Sequence, residues 1–136
     1  MPIRVPHLLA ALLLACAAGA TLAAAPRQQI EIYRIAPGEH AAFIRFVALC
    51  DEANRLAGLP PRQLYVHQDG AAWDFLLIQP ADETPEQARA LEAAWQRLKL
   101  PEGAKFFVAI RKFMLEHSDT VAIGPTTAAE WLKQLD

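Results

Sequence analysis

Apolar and polar residues alternate in two rhythms along the chain, and the changes of rhythm mark the elements. Ile30-Glu31-Ile32-Tyr33-Arg34-Ile35 alternates with period two and is rich in β-branched residues, which predicts a strand. Pro37-Gly38 breaks it. From Glu39 to Ala57 the spacing becomes helical. Phe43, Phe46, Val47, Cys50, Ala53 and Ala57 share a face, while Arg45, Asp51, Glu52 and Arg55 lie off it. Gly58 suits the position just past the helix end, and Pro60-Pro61 prevent continuation.

Gln63 to Gln68 and Ala71 to Gln79 are strand-like runs on either side of Asp69-Gly70. Asp-Gly favours a two-residue hairpin turn. With Gln68 opposite Ala71, Val66 faces Trp73, Tyr65 faces Asp74 and Leu64 faces Phe75. One side of the hairpin is then Leu64, Val66, Trp73, Phe75 and Leu77, uniformly apolar and in need of cover. The other is Gln63, Tyr65, His67, Asp74, Leu76 and Ile78.

Thr84-Pro85-Glu86-Gln87 opens a helix with a cap, a proline in the first turn and a glutamine at the third position. Leu91, Ala94, Trp95 and Leu98 form its stripe. After Pro101 a second helical segment is expected, with Phe106, Ile110, Phe113, Met114 and His117 at helical spacing. Thr120 to Ile123 is a short expected strand ended by Gly124-Pro125. Thr127-Ala128-Ala129-Glu130 is a second capping box, opening a short terminal helix that runs to Leu135.

The N-terminal segment reads differently. Arg4 precedes an apolar run from Leu8 to Ala18, followed by small residues through Ala25. This is the layout of a secretion signal, with cleavage expected after Ala20 or Ala23. The run is shorter than the roughly 20 residues that span a bilayer, so no membrane span is expected after cleavage. The expected division is a signal peptide over 1–23, a tether over 24–29 and one α+β domain over 30–136. A periplasmic or secreted location follows. Leu13-Leu14-Ala15-Cys16 also resembles a lipobox, in which Cys16 would be lipidated and the protein anchored in the envelope.

Composition narrows the chemistry. The signal holds one of the 13 basic residues and none of the 15 acidic ones, so the mature chain is net negative. It has no long basic run, and nucleic-acid binding is not expected. Cys50 would be its one cysteine, which excludes an internal disulfide, and its apolar neighbours suggest a buried helix residue. Ser118 is the only serine, and there is no Gly-x-Ser-x-Gly elbow, phosphate-binding Gly-rich loop or Cys-x-x-Cys. The histidines are too scattered to give a metal-ligand spacing. His40, beside Glu39, reads as a surface residue.

Strand, helix and tight hairpin in that order begin a split βαβ, ferredoxin-like layout, with an antiparallel sheet and helices on one face. Here the chain resembles the dimeric α/β-barrel superfamily, which includes the antibiotic-biosynthesis monooxygenase-like and NIPSNAP-like domains. The residues that carry the resemblance are Ile32-Tyr33-Arg34-Ile35-Ala36-Pro37-Gly38 leading into an amphipathic helix, then Trp73-Asp74-Phe75. It covers roughly Gln29 to Pro125. The departures are an extended double helix before a short last strand, and the added terminal helix. The resemblance implies a homodimer whose sheets pair face to face, enclosing a cavity on the side away from the helices. Some relatives bind haem through a helical histidine, which would make His117 the alternative to having no cofactor.

If Ile30 and Ile32 meet the helices, Glu31, Tyr33 and Ile35 join Tyr65, His67, Asp74, Leu76 and Ile78 on the open side of the sheet. An apolar recess with a few polar groups is the usual character of a small-molecule site. Glu31, Tyr33, Tyr65, His67 and Asp74 are therefore the candidate ligand-binding residues, with His67 able to act as acid, base or ligand. Three functions remain open. They are a small-molecule-binding domain, a cofactor-independent monooxygenase-like enzyme, and a structural or interaction module of the cell envelope.

Overall fold

The computed structural model describes residues 25–70 and 72–135. The expected signal peptide over 1–23 and its Cys16 lie outside the described residues. The elements run β1 (Arg27–Ile35), α1 (His40–Leu56), β2 (Gln63–Val66), β3 (Phe75–Pro80), α2 (Pro85–Arg97), α3 (Ala104–Arg111), β4 (Met114–Ile123) and α4 (Ala128–Leu132). The four strands form one antiparallel sheet in the order β2-β3-β1-β4. This is the expected α+β, ferredoxin-like arrangement, a split βαβ whose first and last strands are neighbours. Among the described residues no helix is long and apolar enough to cross a membrane. Strand β1 begins at Arg27, so residues 27–29 belong to the sheet and not to a tether.

The core forms between the sheet and the helices. It gathers Tyr33 and Ile35 from β1, Phe43 and Val47 from α1, Phe75 and Leu77 from β3, Ile110 from α3, and Phe113. Phe43 is fully buried and organises the aromatic contacts. Its ring centroid lies 4.8 Å from Tyr33, 5.6 Å from Phe75 and 6.3 Å from Phe113. A second cluster joins α1 to α2, where Ala53 and Ala94 bring the two helices together beside Leu100. Their small side chains permit the close approach, and Leu56, Leu91, Trp95 and Leu98 surround it.

Three sequence expectations are corrected. The first concerns the phase of β1. Tyr33 pairs with Phe75 and Glu31 with Leu77, and directly opposed residues share a face. The apolar side of β3 therefore carries Glu31, Tyr33 and Ile35 toward the helices, while Ile30 and Ile32 turn to the open side. Both phases of this strand place an isoleucine on each face, so alternation alone leaves the choice undetermined. Burial decides it, because Tyr33 and Ile35 are 3% and 4% exposed.

The second concerns the hairpin. Gly70 takes a positive φ of 106°, but Asp69 does not take the second positive φ that a two-residue type I′ turn needs. The connection is a longer loop closed by the His67 amide donating to the Asp74 carbonyl at 3.0 Å. Val66 pairs with Phe75 and Tyr65 with Leu76, two residues away from the expected register. A slip of two preserves the faces. Leu64 and Val66 nevertheless stay exposed, because β2 is the sheet edge and the helices do not reach across it.

The third concerns the last strand. The helical segment stops at Arg111, and Met114 to Ile123 form a ten-residue strand along β1. Phe113, Met114 and His117 are therefore not on a helix. Leu115, His117, Asp119, Val121 and Ile123 recur at period two as well as fitting part of a helical stripe, and pairing with the central strand satisfies the backbone of the whole run.

Both long helices end in Schellman motifs, in which the residue after the cap takes a left-handed conformation. In α1 that residue is Gly58 (φ 71°), with the Leu59 amide donating to the Asn54 carbonyl at 2.9 Å. In α2 it is Lys99 (φ 54°), with the Leu100 amide donating to the Trp95 carbonyl at 3.0 Å. A side chain at such a position costs roughly 1–2 kcal/mol, partly offset by the greater freedom glycine has when unfolded. Lys99→Gly should stabilise the fold by about 0.5–1 kcal/mol in urea denaturation. Gly58→Ala should destabilise it by a similar amount.

Candidate functional site

The inner faces of β1 and β4, with α1 and α3 above them, line an open cavity of about 560 Å³. Much of its lining is apolar, from Phe43, Phe46, Val47, Leu77, Phe106 and Ile110. Its polar groups include Glu31, Tyr33, His117 and Asp119 on the sheet and Arg62 before β2, with Arg111 and Glu116 also on the lining.

Strand register explains why these groups meet. On the central strand, Tyr33 lies between Phe75 and His117, and Glu31 lies between Leu77 and Asp119. His117 stacks nearly parallel on Tyr33, with centroids 4.4 Å apart and planes 14° apart. Its Nε2 is 2.7 Å from Asp119 Oδ1. The Tyr33 hydroxyl donates to Glu31 Oε2 at 2.7 Å. The other Glu31 oxygen accepts from Gln79 Nε2 at 2.9 Å, and Gln79 Oε1 accepts from Arg62 Nε at 2.9 Å. Polar groups at the cavity wall are thus linked into a chain from Tyr33 to Arg62, with the His117–Asp119 pair stacked beside it.

The electrostatics assign roles within this chain. Burial pushes the Tyr33 phenol far above its ordinary value, and the Glu31 carboxylate that accepts its proton pushes it the same way. Tyr33 is therefore a neutral donor committed to Glu31, not a base. Burial also raises the Cys50 thiol, against the opposing pull of Arg62, so this thiol is not primed as a nucleophile. Burial raises Asp51 too, again opposed by Arg62, whose Nη1 is 3.7 Å from Asp51 Oδ1. That separation is too long for a direct hydrogen bond, and Asp51 Oδ1 is buried without a partner. Arg62 is the cation around which Asp51, Cys50 and Gln79 are arranged.

Of the residues expected from sequence, Tyr33 and Glu31 line this cavity, on the helix side of the sheet and not on the open side. The other three lie apart from it. Tyr65 is exposed on the edge strand and donates to Gln63 at 3.3 Å. His67 packs on Trp73, with ring centroids 4.9 Å apart, and its Nε2 is buried without a partner. Asp74 stands opposite His67 along the backbone, but its carboxylate turns to the β1–α1 junction. There it accepts from the Ile35 amide at 2.6 Å and lies 3.2 Å from His40 Nε2. The Ile35 amide, with His40 behind it, holds the Asp74 carboxyl below the usual range. Asp74 is a structural clasp between strand and helix.

Sequence reading missed Arg62, Gln79 and Asp119 altogether, and placed His117 on a helix. The signal that would have found His117 and Asp119 is their spacing of two residues within a strand, which puts both on one face. The same placement bears on haem. His117 offers Nε2 to Asp119 and a ring face to Tyr33, leaving Nδ1, the nitrogen next to the backbone of a paired strand. His117 stands on β4 and not on a helix, unlike the helical histidine that the resemblance implies. Among the described residues no group of three or more His, Cys, Asp or Glu side chains is placed to hold a metal ion.

The raised Tyr33 phenol predicts a titration result. In a Tyr65→Phe variant Tyr33 is the only tyrosine left of the two in the chain. The absorbance of that variant should show no phenolate step near pH ~10, the ordinary tyrosine value. Phenolate should appear only as the protein unfolds in alkali. A group protonated more strongly when folded loses its stabilising effect as pH rises past its unfolded pKa, so Tyr33→Phe should flatten the alkaline fall in stability.

No protein-family model matches the chain, and no curated protein matches it. Solved structures do. One is an uncharacterised NIPSNAP domain protein from Burkholderia xenovorans, 14% identical, with a TM-score of 0.45 over 75% of this chain and 97% of that one. Another is a NIPSNAP family protein from Agrobacterium tumefaciens, 14% identical, with a TM-score of 0.49 over 78% and 90%. A third is an antibiotic-biosynthesis-monooxygenase-like protein from Nitrosomonas europaea, 16% identical, with a TM-score of 0.47 over 74% and 99%. The solved structures to which this chain is similar thus include both groups that its sequence pattern resembles.

Proposed function

We propose that this chain is an exported α+β domain that binds a small molecule in the cavity between α1, α3 and the inner face of β1 and β4. The observation that carries the reading is the polar chain on one wall of an otherwise largely apolar hollow. The volume of about 560 Å³ lies in the ordinary range for small-molecule sites. A ligand with an apolar body would lie among Phe43, Phe46, Phe106 and Ile110. A polar substituent would meet His117, the polar side chain least committed to the Tyr33–Arg62 chain. Export is supported by the charged, apolar and small-residue layout of segment 1–23. A homodimer is supported by Ile30, Ile32, Leu76 and Ile78, which a second copy could cover on the open sheet face.

A second reading, a cofactor-independent monooxygenase-like enzyme, draws on the His117–Asp119 pair. A carboxylate 2.7 Å from an imidazole fixes the orientation of its ring, which a general base needs. In that case His117 would accept a proton from the bound substrate, and Tyr33 would support the ring from beneath. The envelope-module reading draws its support from the exposed edge strand β2.

Native mass spectrometry of the protein recovered from its envelope fraction tests the binding reading. A small molecule should co-purify with the wild-type chain. His117→Ala should weaken its retention roughly tenfold, the worth of one good hydrogen bond, and Tyr65→Ala should leave it unchanged. Equal retention in all three proteins would exclude this cavity. The same spectra give the mature N-terminus. A chain beginning after Ala20 or Ala23 supports a soluble exported protein, lipidated Cys16 supports an anchored one, and an intact Met1 would end the export reading.

A further inference from the structure

The outward face of α3 combines two features that rarely occur together by chance. Its inward residues Phe106 and Ile110 pack on the core. Its outward residues Phe107 and Val108 are 62% and 74% exposed, and Leu115, just past the helix at the start of β4, is 63% exposed. Large side chains of this kind gain nothing by standing in water. Around them are Lys105, Arg111 and Lys112, all exposed and none of them in an ion pair among the described residues. From Arg97 to Lys112 the chain carries five basic residues and one acidic one, Glu102, although the whole chain is net negative. Three of these, Lys105, Arg111 and Lys112, lie on α3 or at its end, beside the protruding apolar side chains.

We propose that this face docks on an anionic phospholipid surface. Phe107, Val108 and Leu115 would enter the boundary between headgroups and acyl chains. Lys105, Arg111 and Lys112 would meet the lipid phosphates. Exposed aromatic and aliphatic side chains ringed by lysine and arginine are the pattern of a peripheral interfacial helix. The charge asymmetry favours lipid over a second copy of this chain, because two such faces would bring like charges together. Phe107, Arg111 and Leu115 also line the cavity, so docking would set its mouth against the bilayer. The proposal is independent of what fills the cavity.

The test is co-sedimentation of the full mature protein with vesicles of phosphatidylcholine alone, or of phosphatidylcholine with phosphatidylglycerol. The bound fraction should be several-fold larger with phosphatidylglycerol and should fall steeply as salt is raised. Phe107→Ser with Val108→Ser should reduce it several-fold, and Lys105→Glu with Lys112→Glu should remove the preference for the anionic vesicles. All four positions are exposed, and circular dichroism checks that each variant is folded. Absence of binding to the phosphatidylglycerol vesicles would overturn the proposal. So would binding equal in wild type and variants, as an N-terminal lipid alone would give. Self-association abolished by Phe107→Ser with Val108→Ser, without vesicle binding, would assign the face to a second copy instead.

Discussion

The pairing of β1 with a neighbour on each side is the constraint from which the rest of the structure follows. β1 is bonded on one edge to β3 and along its whole other edge to β4, the longest pairing in the sheet. Once Tyr33 is opposite Phe75, the direction of every side chain on the three strands is settled. Tyr33 then has to meet Phe43 beneath α1, and Glu31 has to enter a largely apolar layer. A carboxylate in that position is costly unless it is hydrogen-bonded. Tyr33 and Gln79 supply those bonds, and Gln79 brings in Arg62. The polar chain at the cavity wall is therefore a consequence of strand phase.

The same constraint separates structural from chemical roles among the ionisable groups. Asp74 has its carboxylate tied to the Ile35 amide, where it fixes the exit from β1 into α1. Arg62 is nearly buried and counters two neighbours, Asp51 and Cys50, that burial alone would leave poorly solvated. His117 differs from both. Its partner Asp119 lies on its own strand, its ring has one face on Tyr33, and it borders open cavity. It can meet a bound molecule without breaking a bond that the fold needs.

Much of the architecture is legible in the sequence, and the failures have identifiable causes. The helix from Glu39 to Ala57, the capping boxes at Thr84 and Thr127, and the ferredoxin-like order all appear as expected, because each rests on local signals that tertiary packing reinforces. The β1 phase fails because isoleucines stand on both faces and only the register with β3 chooses between them. The last strand fails because Phe113, Met114 and His117 fit a helical period while the residues after Met114 also alternate. Those two errors together conceal the cavity. With β1 turned over and His117 on a helix, Tyr33 and His117 are not neighbours, and the polar candidates fall on the hairpin at Tyr65 and His67. The hairpin faces themselves are read correctly, since a slip of two residues leaves them unchanged.

Placing β4 beside β1 also has a consequence for how the protein folds. β1 and its partner β4 are separated by all the other strands and by three helices, so this half of the sheet closes only through a long-range contact. Contacts so distant in sequence form slowly. Until Met114–Ile123 docks, β1 is held on its β3 edge alone, and its other edge stays open to solvent.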